Sequence, residues 1–76
     1  MKTKDNAPKL GFPKYNRNEI VRFYHNGTAY EGKILVVNGL GIFGMTDQPY
    51  YDIVVEGDEP MLYKNIPESS IGKSAL

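Results

Sequence analysis

Six consecutive residues, Gly39-Leu40-Gly41-Ile42-Phe43-Gly44, satisfy the glycine spacing of a dinucleotide-binding turn. They follow the apolar run Ile34 to Val37, and the acids Asp58 and Glu59 come later. That chemistry needs the last glycine to open a helix whose N-terminus meets a pyrophosphate. Only five residues, Pro49 among them, separate Gly44 from the next strand-like run at Tyr50. A crossover helix needs roughly ten or more. The spacing therefore predicts a glycine-rich loop and no nucleotide cradle. His25 is the only histidine, and no carboxylate or cysteine stands at catalytic spacing from it. Asp58-Glu59-Pro60 reads as a solvated turn, because a calcium loop needs more oxygen ligands at regular intervals. No serine or threonine lies in a nucleophile motif. These residue types predict no catalytic site, cofactor or metal, so the chain reads as a non-enzyme.

The aromatic residues offer a different chemistry. There are six tyrosines and three phenylalanines but no tryptophan, more rings than a core this small needs. Alternation points Tyr30, Tyr51 and Tyr63 inward and Tyr24 and Tyr50 outward. Exposed tyrosines line peptide grooves and also stack on nucleic-acid bases. Tyr24, Tyr50 and the neighbouring His25 are the candidate partner-binding residues.

Those rings need strands to carry them. Val21 and Phe23 alternate with Arg22 and Tyr24, and Tyr30, Gly32, Ile34 and Val36 alternate with Glu31, Lys33 and Leu35. Such a period of two marks half-buried antiparallel strands. Between the two runs, Asn26-Gly27 is a strong hairpin signal, because a type I′ turn needs positive φ at both central residues. The first strand spans residues 19–24 and the second 29–37; 40–45 reads as a short strand or a wide loop. Tyr50 to Glu56 is the clearest strand, Gly57-Asp58-Glu59-Pro60 a hairpin loop, and Met61 to Asn65 the next strand. Pro67-Glu68-Ser69-Ser70-Ile71 fits one turn of 3-10 helix before a closing strand. Short strands without a helix-length period predict an all-β, five-stranded small barrel over residues 19–72. Its expected core is Val21, Phe23, Ile34, Val36, Ile53, Val55 and Ile66.

The chain has 76 residues and no cysteine, so one modest core must hold without disulfides. No apolar run approaches the roughly 20 residues that span a bilayer, and no signal-peptide core follows Met1. A soluble, cytoplasmic protein without a membrane partner is expected. Net charge is zero but segregated. Lys2, Lys4, Lys9, Lys14, Arg17 and Arg22 face only Asp5 and Glu19 in residues 1–22, a net +4, which leaves −4 for the remainder. Residues 1–18 hold Pro8, Pro13 and no sustained period, which predicts a flexible basic arm. Leu10, Phe12 and Tyr15 are its only groups able to pin it down. Residues 73–76 read as a tail.

This order of strand, hairpin, glycine-containing strand, hairpin, strand and 3-10 turn resembles the SH3-like small barrels. Val21-Arg22, Gly27 and Tyr30-Glu31-Gly32-Lys33-Ile34 are similar to two groups within it. One is the KOW motif of ribosomal and transcription proteins. That likeness implies nucleic-acid binding, with Lys9, Lys14, Arg17 and Arg22 as the phosphate contacts. The other is the type II dihydrofolate reductases, whose Val-Gln-Ile-Tyr segment matches Pro60, Met61, Leu62 and Tyr63 here. Met61 stands where that family's ligand-holding glutamine belongs, and Phe23 where its anion-attracting lysine belongs. The resemblance therefore does not carry reductase activity. Small proteins of bacteriophages and mobile elements share this look. The reading that follows is a non-catalytic binding module for a protein partner, with nucleic acid as the alternative. Exposed strand edges also allow self-association.

Overall fold

Asn26 and Gly27 set the register of the sheet. Both take positive φ, 52° and 81°, the type I′ geometry whose twist suits a two-residue hairpin. The turn joins β1 (Ile20–His25) to β2 (Thr28–Asn38), pairing Phe23 with Tyr30 and Val21 with Gly32. The structure is a computed structural model and describes residues 9–73. β3 (Tyr50–Val55), β4 (Met61–Pro67), a 3-10 turn over Glu68–Ser70 and β5 (Ile71–Lys73) complete it. All pairings are antiparallel, in the order β4-β3-β2-β1-β5. The all-β class, the five strands and the 3-10 turn are as the sequence predicts.

The hydrogen-bonded sheet remains open, because β4 and β5 are its edges and do not pair with each other. It is nevertheless strongly curled. The Tyr63 ring on β4 lies 5.4 Å from the Phe23 ring on β1, although two strands intervene in the sheet. Gly32 permits part of this curl. A Cβ there would stand 2.5 Å from the Val54 carbonyl oxygen and 2.8 Å from Ile53 Cγ2. The rest comes from two register shifts, at Leu35 on β2 and around Asp52 against Lys64-Asn65. Bulges of this kind bend and twist a strand.

The core is Tyr15, Val21, Phe23, Ile34, Tyr51, Ile53, Ile66 and Ile71, with Val55 half-buried against it. Val36 does not join it and is 42% exposed. The bulge at Leu35 breaks the alternation, so Val36 pairs with Asp52 on the outer side and Val37 turns inward against the core. The expected flexible arm is also corrected within the described residues. Tyr15 is buried, and Asn18 and Gly11 donate backbone hydrogen bonds to Ile34 and Gly39. Residues 1–8, with Lys2, Lys4 and Asp5, and residues 74–76 of the tail lie outside the described residues. Among the described residues no helix is long and apolar enough to cross a membrane.

Because the atoms facing Gly32 are backbone and core, they cannot move aside cheaply. Gly32→Ala is expected to lower stability by about 1–3 kcal/mol, read as a lower urea midpoint. An unchanged midpoint would show that the β2–β3 approach has slack.

Candidate functional site

A buried carboxylate was not foreseen from the sequence. Glu68, in the 3-10 turn, is only 3% exposed. Its Oε2 accepts from the Tyr51 hydroxyl at 2.7 Å and from the Lys14 backbone N–H at 2.8 Å, while Oε1 is buried without a hydrogen-bond partner. The Tyr51 hydroxyl in turn accepts from the Tyr15 N–H at 3.3 Å, and the Tyr15 hydroxyl donates to the Ile71 carbonyl at 3.2 Å. Tyr15 and Tyr51 meet edge to face, 5.8 Å between centroids. Burial first, then the hydrogen bond to Glu68, pushes the Tyr51 phenol far above its usual range. Burial and the nearby Glu68 and Glu19 charges raise Tyr15 as well. Both phenols are thereby held protonated as donors. The sequence offered one weak signal, a glutamate directly after Pro67 in a turn that had to dock.

At the hairpin end, Phe23, Tyr30, Tyr63 and His25 form a second cluster. Tyr30 lies 5.0 Å from Tyr63 and 5.6 Å from Phe23, and His25 packs edge-on against Tyr63 at 5.1 Å. A hydrogen bond to the Tyr30 phenol, with burial second, pushes the Tyr63 phenol up. Tyr30 and Tyr63 turn inward as alternation predicts, though each keeps an exposed edge. Tyr24 points outward and is exposed beside Ala29.

Tyr50 departs from expectation. It is 6% exposed, because the loop from Gly39 to Pro49 folds back over the start of β3. Its hydroxyl donates to Asp47 Oδ1 at 3.2 Å, with Met45 Sδ a second acceptor 3.6 Å from the same oxygen. The three candidate binding residues are also not together. Tyr50 pairs with Asn38 and Tyr24 with Ala29, nine residues apart on β2, or about 30 Å along an extended strand.

The loop contains the most exposed apolar group. Ile42 and Met45 exchange backbone hydrogen bonds of 2.9 and 2.8 Å, closing a two-residue turn in which Gly44 takes φ 81°. Phe43 at its tip is fully exposed, and Leu40, Met45 and, on the N-terminal segment, Phe12 are exposed too. Gly11 donates to the Gly39 carbonyl at 2.8 Å, which ties the segment carrying Phe12 to the start of the loop. The Gly39–Gly44 spacing thus builds a turn, and no helix follows it.

The basic residues are dispersed. Lys9 Nζ sits 5.9 Å over the Phe12 ring, Lys14 is tied by its backbone to Glu68, Arg17 is exposed ahead of β1, and Arg22 pairs across β1 with Glu31 and Gly72. Among the described residues no pocket opens and no three metal-ligating side chains gather. Comparison with protein-family models, curated proteins and solved structures finds no match for this chain.

Two outcomes follow from the Glu68 node. Tyr51→Phe removes a charge-assisted bond and is expected to cost about 1.5–3 kcal/mol of stability, measured by urea unfolding, with Glu68→Ala costing more than Glu68→Gln. The phenols raised in the fold ionise near pH 10 once unfolded. Their stabilisation is complete below that pH and falls as pH rises through and above it, since the unfolded chain then binds fewer protons. Unfolding midpoints should therefore decline above about pH 10, and Tyr51→Phe should flatten that decline. A wild-type midpoint constant to strongly alkaline pH would count against the buried network.

Proposed function

We propose that the chain is a non-catalytic protein-binding module of the SH3-like kind, presenting the Leu40–Met45 loop and Phe12 to a concave apolar site on its partner. The observation that carries this reading is Phe43, fully exposed on a turn closed by two backbone hydrogen bonds. A large ring held out by a fixed turn loses little freedom on binding, and buried aromatic anchors dominate interface energies. Leu40 and Met45 on the same loop, and Phe12 on the segment tied to its start, are exposed apolar groups as well. The SH3-like reading is supported by the curl of the five-stranded sheet and by the 3-10 turn before β5. Tyr24 and His25, at the far end of β2, contribute a separate and smaller contact.

Phe43 replaced by a photo-crosslinking benzoyl-phenylalanine should capture a protein in the native host, and the same group at Glu56 should not. Against that purified partner, Phe43→Ala is expected to weaken binding roughly 30-fold, the loss of about 2 kcal/mol typical of an anchor, with unchanged folding by circular dichroism. Equal affinity for wild type and Phe43→Ala would refute the loop as the contact. Binding to nucleic acid that survives Phe43→Ala and is lost on replacing Lys9, Lys14, Arg17 and Arg22 by glutamine, in a chain still folded by circular dichroism, would favour those basic residues instead.

A further inference from the structure

The outer face of the sheet carries an apolar band of its own, set among charged residues, and the loop does not account for it. Across the strands, Ile20 lies opposite Lys33, Lys33 opposite Val54, and Val54 opposite Leu62. Ile53 beside Val54 is fully buried on the inner side, so this row faces outward across β1, β2, β3 and β4. In the next outward row Val36 pairs with Asp52, with Leu35 beside it in the bulge. Ile20, Leu35, Val36 and Leu62 are all exposed. A solvated antiparallel face alternates to polar residues, whereas strands covered on both faces read as continuous apolar runs. Ile34-Leu35-Val36-Val37 and Ile53-Val54-Val55 are runs of the second kind.

We propose that two copies of this chain pack outer face against outer face about a two-fold axis. Lys33 on β2 and Asp52 on β3 lie a row apart within this band, with Lys64 beside Asp52 on β4 and the pair Arg22–Glu31 in the outward row beyond Lys33. An axis lying in the face between Lys33 and Asp52 sets each Lys33 over the Asp52 of the second copy, the self-complementarity that an isologous contact requires. Zero net charge leaves no overall repulsion between copies. A chain of this size buries only about 60% of its unfolded surface, and a second sheet stacked about 10 Å away supplies the missing layer.

The test is sedimentation equilibrium of the full chain up to millimolar concentration, with circular dichroism to confirm folding. The wild type should rise from the 8.6 kDa of one chain towards twice that mass. Lys33→Asp and Asp52→Lys each bring like charges together and should remain monomeric. An equimolar mixture of the two should recover the dimer, because both contacts are then opposite in charge. That recovery cannot come from a pairing within one chain. Asp52 also accepts a hydrogen bond from the Asn65 N–H at 2.9 Å. If Asp52→Lys does not fold, Leu62→Lys replaces it as the test, and a folded Leu62→Lys must be monomeric. Phe43→Ala should leave the dimer intact, which separates this contact from the loop. A wild type monomeric throughout, a mixture that stays monomeric, or a dimeric Leu62→Lys would overturn the proposal.

Discussion

The Glu68 carboxylate is the constraint on which the rest of the structure depends. A carboxylate taken out of water loses several kcal/mol of solvation even after the protein relaxes, so it is tolerated only where donors converge on it. Here the two donors come from parts of the chain far apart in sequence, the Lys14 N–H and the Tyr51 hydroxyl. One fixes the N-terminal segment and the other β3, and Glu68 itself belongs to the turn that delivers β5. The bond from the Glu68 N–H to the Pro49 carbonyl adds the end of the long loop to the same node. In a chain without cysteine, this junction does the cross-linking work that disulfides do in other small domains.

Curl is the second constraint, and it works with the first. Gly32 lets β2 approach the β3 backbone, and the two bulges turn the strands further. The inner faces of β1 and β4 thereby close over one another, so that Phe23, Tyr30, Tyr63 and His25 meet. Tyr15 fills the core from the N-terminal segment, between Tyr51 and Ile71. A flat sheet would leave all these rings in solvent. The Glu68 node holds the segment that carries Tyr15, and the curl provides the concavity that receives it.

Local signals in the sequence were sufficient for most of the strands. Asn26-Gly27 located the hairpin, alternation placed Val21, Phe23, Ile34 and Ile53 inside, and Pro67 marked the 3-10 turn. What escaped depended on contacts distant in sequence. The bulge at Leu35 moved Val36 outward, and nothing in Ile34-Leu35-Val36-Val37 reveals where an unbroken apolar run will slip. Tyr50 was hidden by a loop whose path is set by its own turn and by Gly11. The segment before Asn18 lacks any period because it lies across the core without joining the sheet, and a periodic reading mistakes such a segment for a free arm. The candidate site was the least legible part. Tyrosine chemistry favours rings that the fold separates and partly buries, while the most exposed ring is a phenylalanine inside a spacing that resembles a nucleotide motif.

The distribution of apolar side chains argues against reading this surface as a by-product of small size. Scattered exposed aliphatic residues are ordinary on any protein. Here they fall into two organised sets, one on a turn fixed by backbone hydrogen bonds and one across the sheet, where Ile20, Val54 and Leu62 share a row with Lys33 and Leu35 and Val36 lie in the next. Each set sits on rigid backbone, so little conformational entropy remains to be lost when it is covered. They differ in shape, and shape assigns them different occupants. A single protruding ring suits a concave receptacle, which under the proposed function the partner would supply. A flat band in which Lys33 and Asp52 lie a row apart suits a second copy of the same surface. The two contacts are then compatible, because the loop lies past the Asn38 end of β2 while the outer row crosses the strand at Lys33. A face-to-face pair of sheets would leave both loops free, so a dimer would offer its partner two anchors in place of one. Linked anchors of this kind raise apparent affinity through effective concentration without any new contact.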